Sequence, residues 1–191
     1  MLENVVKLIY DGIIPPLLEA GTWVLSPFYP KARKALYGRR KWYKKFEEQL
    51  RGIKEHYPHK TRKIMLHSSS VGEFLQVRPI IDSLKKSFPD IIVILTFYSP
   101  SAEPYVMKYP NADVRGYLPI DTRKNANQLL TILTPDLLVF SRGDLWPNLI
   151  LEGARLDIPM ALANGTLIEG SGKMNPIFKR FFGSLLSNIN F

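Results

Sequence analysis

At 191 residues, 46% of them apolar, the chain suits one α/β domain with an appendage. It has no cysteine, which excludes disulfides, thiolate nucleophiles and cysteine-based zinc sites. The net charge of +9 is unevenly held: residues 1–63 carry 14 Lys/Arg against 6 Asp/Glu, residues 64–191 carry 12 against 11. The basic character therefore belongs to one end, which points to a polyanion, acidic lipid or nucleic acid, beside a near-neutral domain.

Residues 5–28 read VVKLIYDGIIPPLLEAGTWVLSPF. The stretch has the ~20 residues that a membrane span needs. Lys7, Asp11 and Glu19 interrupt it, and charge at bilayer depth is costly. Pro15-Pro16 is expected to break or kink a helix in its middle. No small-residue cleavage pattern marks it as a signal peptide. Lys31, Arg33, Lys34, Arg39, Arg40, Lys41, Lys44 and Lys45 follow, with Tyr29, Tyr37, Trp42, Tyr43 and Phe46 between them. Such a mixture suits the headgroup region of an anionic leaflet, where each cation is worth about 1 kcal/mol before screening. The competing reading is a solvated amphipathic helix packed on its own domain. Nucleic acid is not expected as a partner, since the basic run carries no recognised nucleic-acid motif.

From residue 63 short β-type runs alternate with helical ones. Strands are expected at 63–67 (KIMLH), 90–97 (with IIVILTF), 114–118, 136–140 (DLLVF) and 159–163 (PMALA). Helices are expected at 73–88, where Phe74, Val77, Ile80, Ile81 and Leu84 make one apolar face, and at 104–109, 122–133, 146–156 and 175–186. This alternation predicts a Rossmann-like parallel sheet with helices on both faces. The expected organisation is a membrane-associating segment at 1–45, a linker helix at 46–62, the Rossmann-like domain at 63–170 and a C-terminal helix at 171–191. Ligands of such sheets bind beyond the carboxyl ends of the strands. The loops of interest are therefore Ser68–Gly72, Ser99–Glu103, Pro119–Thr122, Ser141–Leu145 and Asn164–Glu169.

The first loop, Ser68-Ser69-Ser70-Val71-Gly72-Glu73, puts three hydroxyls and a glycine before a helix, an arrangement that favours an anion. It is neither a Walker loop nor GxGxxG. Glu73 has two readings: partner of Ser70 in a capping box, reaching back to the cap residue's N–H, or general base at the mouth of the sheet. His67 reads as a strand-end histidine satisfied by its neighbours. In the fourth loop, Trp146-Pro147-Asn148 offers an aromatic wall and an amide to a sugar or polar headgroup. Alternatively, Trp146 fills the core and Asn148 lies in the helix's first turn. No His/Asp/Glu spacing suggests a metal site.

Five segments in order resemble the Kdo (3-deoxy-D-manno-octulosonic acid) transferases. HSSSVGE at 67–73 is similar to H-x-x-S-V-G-E, TFYSPSAEPY at 96–105 loosely to a strand followed by T-P-T-G, and YLPID at 117–121 to Y-L-P-x-D. DLLVFSRGDLWPNLI at 136–150 resembles a strand followed by E-T-E-L-W-P-N, and IPMALANGTL at 158–167 resembles I-P-V-x-L-x-N-A-R-L. The apolar and basic N-terminal segment matches the family in character. The resemblance implies the N-terminal half of a GT-B glycosyltransferase, which receives a lipid A precursor at the cytoplasmic face of the inner membrane. Most of the donor, CMP-Kdo, would be held by a C-terminal domain expected to be missing from this chain, and a separate donor-domain chain is the partner that would complete it. The implied reaction is inverting and needs neither metal nor cofactor.

By its place in S-V-G-E, Glu73 is implied as the base that deprotonates the acceptor hydroxyl. Ser68, Ser69, Ser70, Gly72, Asp144, Trp146 and Asn148 are implied as acceptor-binding. Two departures stand out: E-T-E is Arg142-Gly143-Asp144 here, and the arginine of N-A-R-L is Thr166. The chain alone is expected to transfer no Kdo. The alternative is a non-catalytic or degenerate membrane-attached module that binds the lipid A precursor.

Overall fold

The structure, a computed structural model, describes residues 2–142, 145–165 and 176–190. Three helices come first: α1 (Leu2–Leu25), α2 (Pro30–Arg39) and α3 (Trp42–His56). Strands and helices then alternate: β1 (Lys63–Ser68), α4 (Val71–Ser87), β2 (Ile92–Phe97), α5 (Glu103–Val106), β3 (Val114–Tyr117), α6 (Arg123–Leu133), β4 (Leu137–Ser141), α7 (Pro147–Arg155), β5 (Met160–Ala163) and α8 (Pro176–Leu186). The expected parallel sheet forms, with order β3-β2-β1-β4-β5 and every pairing parallel. All five expected strands are present, displaced at their ends by a residue or two.

Both faces of the sheet are covered, so its strands are apolar on both sides. Met65, Ile94, Val114, Leu138, Phe140 and Met160 point to one face, where Trp42 and Phe46 of α3 and the apolar sides of α6, α7 and α8 meet them. Leu66, Val93, Leu95 and Val139 point to the other, against Phe74, Val77 and Ile81 of α4 and Val106 of α5. Two glycines allow the closest approaches on β3 and α2. A Cβ on Gly116 would stand 2.8 Å from the Phe46 ring, and one on Gly38 would stand 2.3 Å from the Tyr117 ring.

The N-terminal segment differs from expectation in one respect. Pro15 and Pro16 lie inside α1, and the helix runs through both without a break. Each proline removes an N–H and crowds the carbonyl four residues back. For Pro16 that carbonyl belongs to Gly12, where even an added Cβ would meet no side chain or other segment within 4 Å. Tertiary contacts hold the rest: α1 packs on α2 and α8, Pro15 is buried, and Tyr10 is hydrogen-bonded to Asp121. No helix among the described residues is long and apolar enough to cross a membrane. The outer side of α1 and the turn after it still expose Leu8, Leu17, Trp23, Val24 and Phe28, each by more than 60%.

Candidate functional site at the sheet's switch point

The chain winds from β1 outward to β2 and β3, then returns to place β4 on the other side of β1. Open parallel sheets bind ligands at this reversal, beyond the carboxyl ends of the two strands that flank it. Here the flanking loops are those after β1 and β4, which carry Ser68–Glu73 and Arg142–Trp146.

Ser70 is the N-cap of α4, and its Oγ accepts from the N–H of Glu73 at 3.4 Å. The Glu73 carboxylate reaches back, as in a capping box, but one residue further than the pattern predicts. Its Oε2 accepts from the N–H of Ser69 at 2.6 Å. Glu73 is thus oriented by the backbone of the loop and is half-buried at the rim of the sheet. Gly72 is exposed, and a Cβ there would meet only the Ser70 hydroxyl, at 4.0 Å. The backbone beside Glu73 is therefore open to an approaching group.

The other two serines point inward. Ser69 is buried at the centre of a directed chain of hydrogen bonds. Thr96 Oγ1 donates to the carbonyl of Leu66 at 3.4 Å, so it accepts from Nδ1 of His67 at 3.0 Å. His67 Nε2 is then the acceptor of a hydrogen bond from the Ser69 hydroxyl at 2.9 Å, while Ser69 Oγ accepts from the Trp146 indole at 3.3 Å. Burial pushes the pKa of His67 down to about 3, so the ring is neutral at physiological pH. Its edge meets Trp146, with ring centroids 5.7 Å apart. Ser68 is fully buried, and its Oγ has no partner among the described residues; the same is true of Ser141 Oγ at the end of β4. Each follows directly on the last residues paired between the two strands, His67 of β1 and Phe140 of β4. Unsatisfied buried hydroxyls are uncommon, and these two lie at the ends of the strands that flank the switch point.

Trp146 and Asn148 adopt the buried alternatives. Trp146 is 9% exposed, and Asn148, in the first turn of α7, is 1% exposed. The Asn148 side chain donates to the carbonyl of Asp121 at 2.6 Å. Asp144 lies outside the described residues, as do Gly143 and Thr166. Arg142 precedes them with a positive φ of 58°. Among the described residues no group of acidic or histidine side chains could hold a metal ion.

Sequence reasoning passed over Asp121, although it closes the YLPID segment. Its Oδ2 accepts from Tyr10 Oη at 2.8 Å and from the N–H of Asn148 at 3.0 Å, and its Oδ1 accepts from the N–H of Leu149 at 3.0 Å. The carboxylate thus caps α7 from across the rim, where the helix dipole favours it. Burial nonetheless raises its pKa to about 6; the donors from Asn148, Tyr10 and Leu149 oppose that rise and the nearby Asp11 adds to it. An aspartate in the loop between β3 and the Thr122 cap of α6 is the signal that could have found it. Nothing local in the sequence points to Tyr10.

A family model described as 3-deoxy-D-manno-octulosonic-acid transferase (kdotransferase) matches residues 39–191. A 3-deoxy-D-manno-octulosonic acid transferase of Rickettsia felis is 33% identical over 128 residues, covering 66% of this chain and 27% of its own. Those of Haemophilus influenzae and Chlamydophila psittaci are 26% identical over 128 residues and 30% identical over 126. They are covered over 30% and 29% of their lengths. The chain therefore spans less than a third of the length of these relatives.

Proposed function

Because the chain belongs to the Kdo transferase family, through a match that takes in the whole sheet, we propose that it is the acceptor-binding half of an enzyme that transfers Kdo from CMP-Kdo to a lipid A precursor. The observation that carries this reading is the position of Glu73. It stands at the carboxyl end of the central strand, beside the switch point, with its carboxylate oriented by the N–H of Ser69. A base so placed takes the proton from an acceptor sugar hydroxyl as that oxygen attacks the anomeric carbon of the donor.

The loop after β1 supplies the rest of the acceptor site in this proposal. Ser68 lies beneath it, Ser70 and Gly72 form its open edge, and Asp144 is proposed as a further acceptor contact. Ser69, Trp146 and Asn148 serve it from below. Ser69 and Trp146 hold the loop through their mutual hydrogen bond, and Asn148 ties α7 to Asp121. The donor-binding half of a GT-B pair would face this rim across a cleft, and inversion without a metal is the mechanism such a base serves. The exposed apolar side of α1 and the cations of α2 would set the protein on the anionic, cytoplasmic face of the inner membrane.

The test is Glu73→Gln, with the chain supplied alongside a CMP-Kdo-binding half, and transfer to a lipid A precursor measured. We expect a fall of about 10²–10⁴-fold, the usual share of a general base, with the thermal midpoint little changed. Undiminished transfer would leave Glu73 as a helix cap alone. The substitution of Arg142 for the family's first acidic residue favours a second reading, a module that binds acceptor without turnover. In that case acceptor binding is measurable, and transfer is absent both before and after the substitution.

A further inference from the structure

A cleft of about 540 Å³ separates α1 from α2. Trp23, Leu36 and Ile120 give it apolar walls, Arg39 and Arg40 give it cations, and Glu19 adds one carboxylate to the lining. Arg39 is the unusual member. Its guanidinium donates from Nε to the carbonyl of Leu118 at 3.0 Å and from one terminal nitrogen to the carbonyl of Tyr98 at 2.6 Å. It also lies over the Tyr98 ring, 4.0 Å from the centroid. These contacts fix its plane and draw it out of water, yet among the described residues no carboxylate neutralises it, and the second terminal nitrogen has no partner. Withdrawing a cation from water is costly unless an anion accompanies it. Among the described residues every other contact of this arginine is a carbonyl or an aromatic face, so an anion entering the cleft would find the arginine's charge uncompensated.

We propose that this cleft binds the phosphate of a single anionic phospholipid, with Arg39 and Arg40 on the phosphate and Trp23, Leu36 and Ile120 against the first part of the acyl chains. The occupant is an amphiphile because the cleft joins cations to apolar walls. It comes from the bilayer because the cleft opens beside Trp23 and Tyr37, which are 69% and 59% exposed. Tyr98 stacks on Trp146 with centroids 4.6 Å apart, and the two rings stand between Arg39 and the loop that carries Glu73. The lipid site is therefore beside the acceptor loop and separate from it. The proposal rests on the reading that α1 and α2 lie at a membrane.

The test needs no membrane. Short-chain dihexanoyl phosphatidic acid, kept below its micellar concentration, is titrated into the full chain and followed by tryptophan fluorescence; Trp23 is the exposed indole, while Trp42 and Trp146 are each 9% exposed. We expect saturable binding, weak binding of inorganic phosphate and none of dihexanoyl phosphatidylcholine. Arg40→Ala, whose side chain has no other partner among the described residues, should weaken binding by about tenfold, the scale of one charge-assisted hydrogen bond. Glu19→Gln should tighten it, a change that loss of structure does not mimic. Arg39→Lys should weaken it most, with circular dichroism confirming the fold. Lys44→Ala, outside the cleft, should have no effect. Failure of phosphatidic acid to saturate, or equal losses in Arg40→Ala and Lys44→Ala, would overturn the proposal in favour of diffuse attraction. Inorganic phosphate binding as tightly as the lipid would overturn the choice of an amphiphile. Vesicle association is scored separately, so loss of the membrane reading and loss of this site are different results.

Discussion

Two buried titratable residues beneath the rim set the behaviour of the site with pH. Asp121 has a folded pKa near 6 against an ordinary value of 3.8. Between those values the folded chain holds a proton that the unfolded chain has released, so this residue adds stability as pH falls through 6 and withdraws it as pH rises. In Asp121→Asn the increment is absent, and one of the three donors loses its acceptor, a cost of about 1–3 kcal/mol. Urea denaturation of both proteins should show the gap between them widening from pH 7 to pH 5. A gap that narrows would mean that the donors outweigh burial. His67 behaves in the opposite manner. Its pKa of about 3 keeps it neutral, and the chain from Trp146 to Leu66 requires the proton on Nδ1. Nitrogen NMR of the ring should report that tautomer, unchanged from pH 5 to pH 8. A transition near pH 6.5 would place His67 in contact with solvent and break the directed chain that holds Ser69.

Among the elements, α2 and α3 depend on close approach to β3. Gly38→Ala would drive a methyl group into the Tyr117 ring, which is 5% exposed, held by a hydrogen bond from its hydroxyl to Glu103 and packed on Phe97. Gly116→Ala would do the same to Phe46, which is 1% exposed. Overpacking of this kind costs about 1–3 kcal/mol, and we expect lowered midpoints in thermal denaturation for both, with Gly38→Ala the more severe. Neither glycine stood out in the sequence, because what each one meets is far away along the chain. The strands were legible for the converse reason: IIVILTF and DLLVF declare burial on both faces by themselves. The Ser70–Glu73 cap was legible too, as a spacing, although the residue that Glu73 reaches is Ser69 and not the cap. The inward turn of Ser69 was not, since it depends on His67 and Trp146 meeting across two strands. Arg39 reads like Arg40 and Lys41 in the basic run, and only the carbonyls of Tyr98 and Leu118 set it apart. The continuity of α1 through Pro15 and Pro16 likewise comes from tertiary contacts that local propensity does not encode.

At the scale of the whole molecule, the basic N-terminal end is two parts with different dependence on the domain. Residues from Arg39 onward are built into it: Arg39 bonds the ends of β2 and β3, and Trp42 and Phe46 lie in the core. Helix α1 is attached more lightly, through α2, α8 and the Tyr10–Asp121 bond. Deleting residues 1–45 would therefore remove Trp42 and the Arg39 contacts together, exposing Phe46, and we expect that protein not to fold cooperatively. Deleting residues 1–28 leaves those contacts in place. That shorter deletion should fold, with stability reduced by about 0.5–1.5 kcal/mol, the net worth of a typical hydrogen bond such as that of Tyr10, plus whatever the packing of α1 contributes. It also removes the exposed Leu8, Leu17, Trp23, Val24 and Phe28. If that surface holds the chain on a membrane, sedimentation with anionic vesicles should fall sharply in the shorter deletion. What remains should be the electrostatic attraction of α2 and α3, and it should vanish in high salt. Undiminished, salt-resistant sedimentation of the shorter deletion would remove α1 as the anchor.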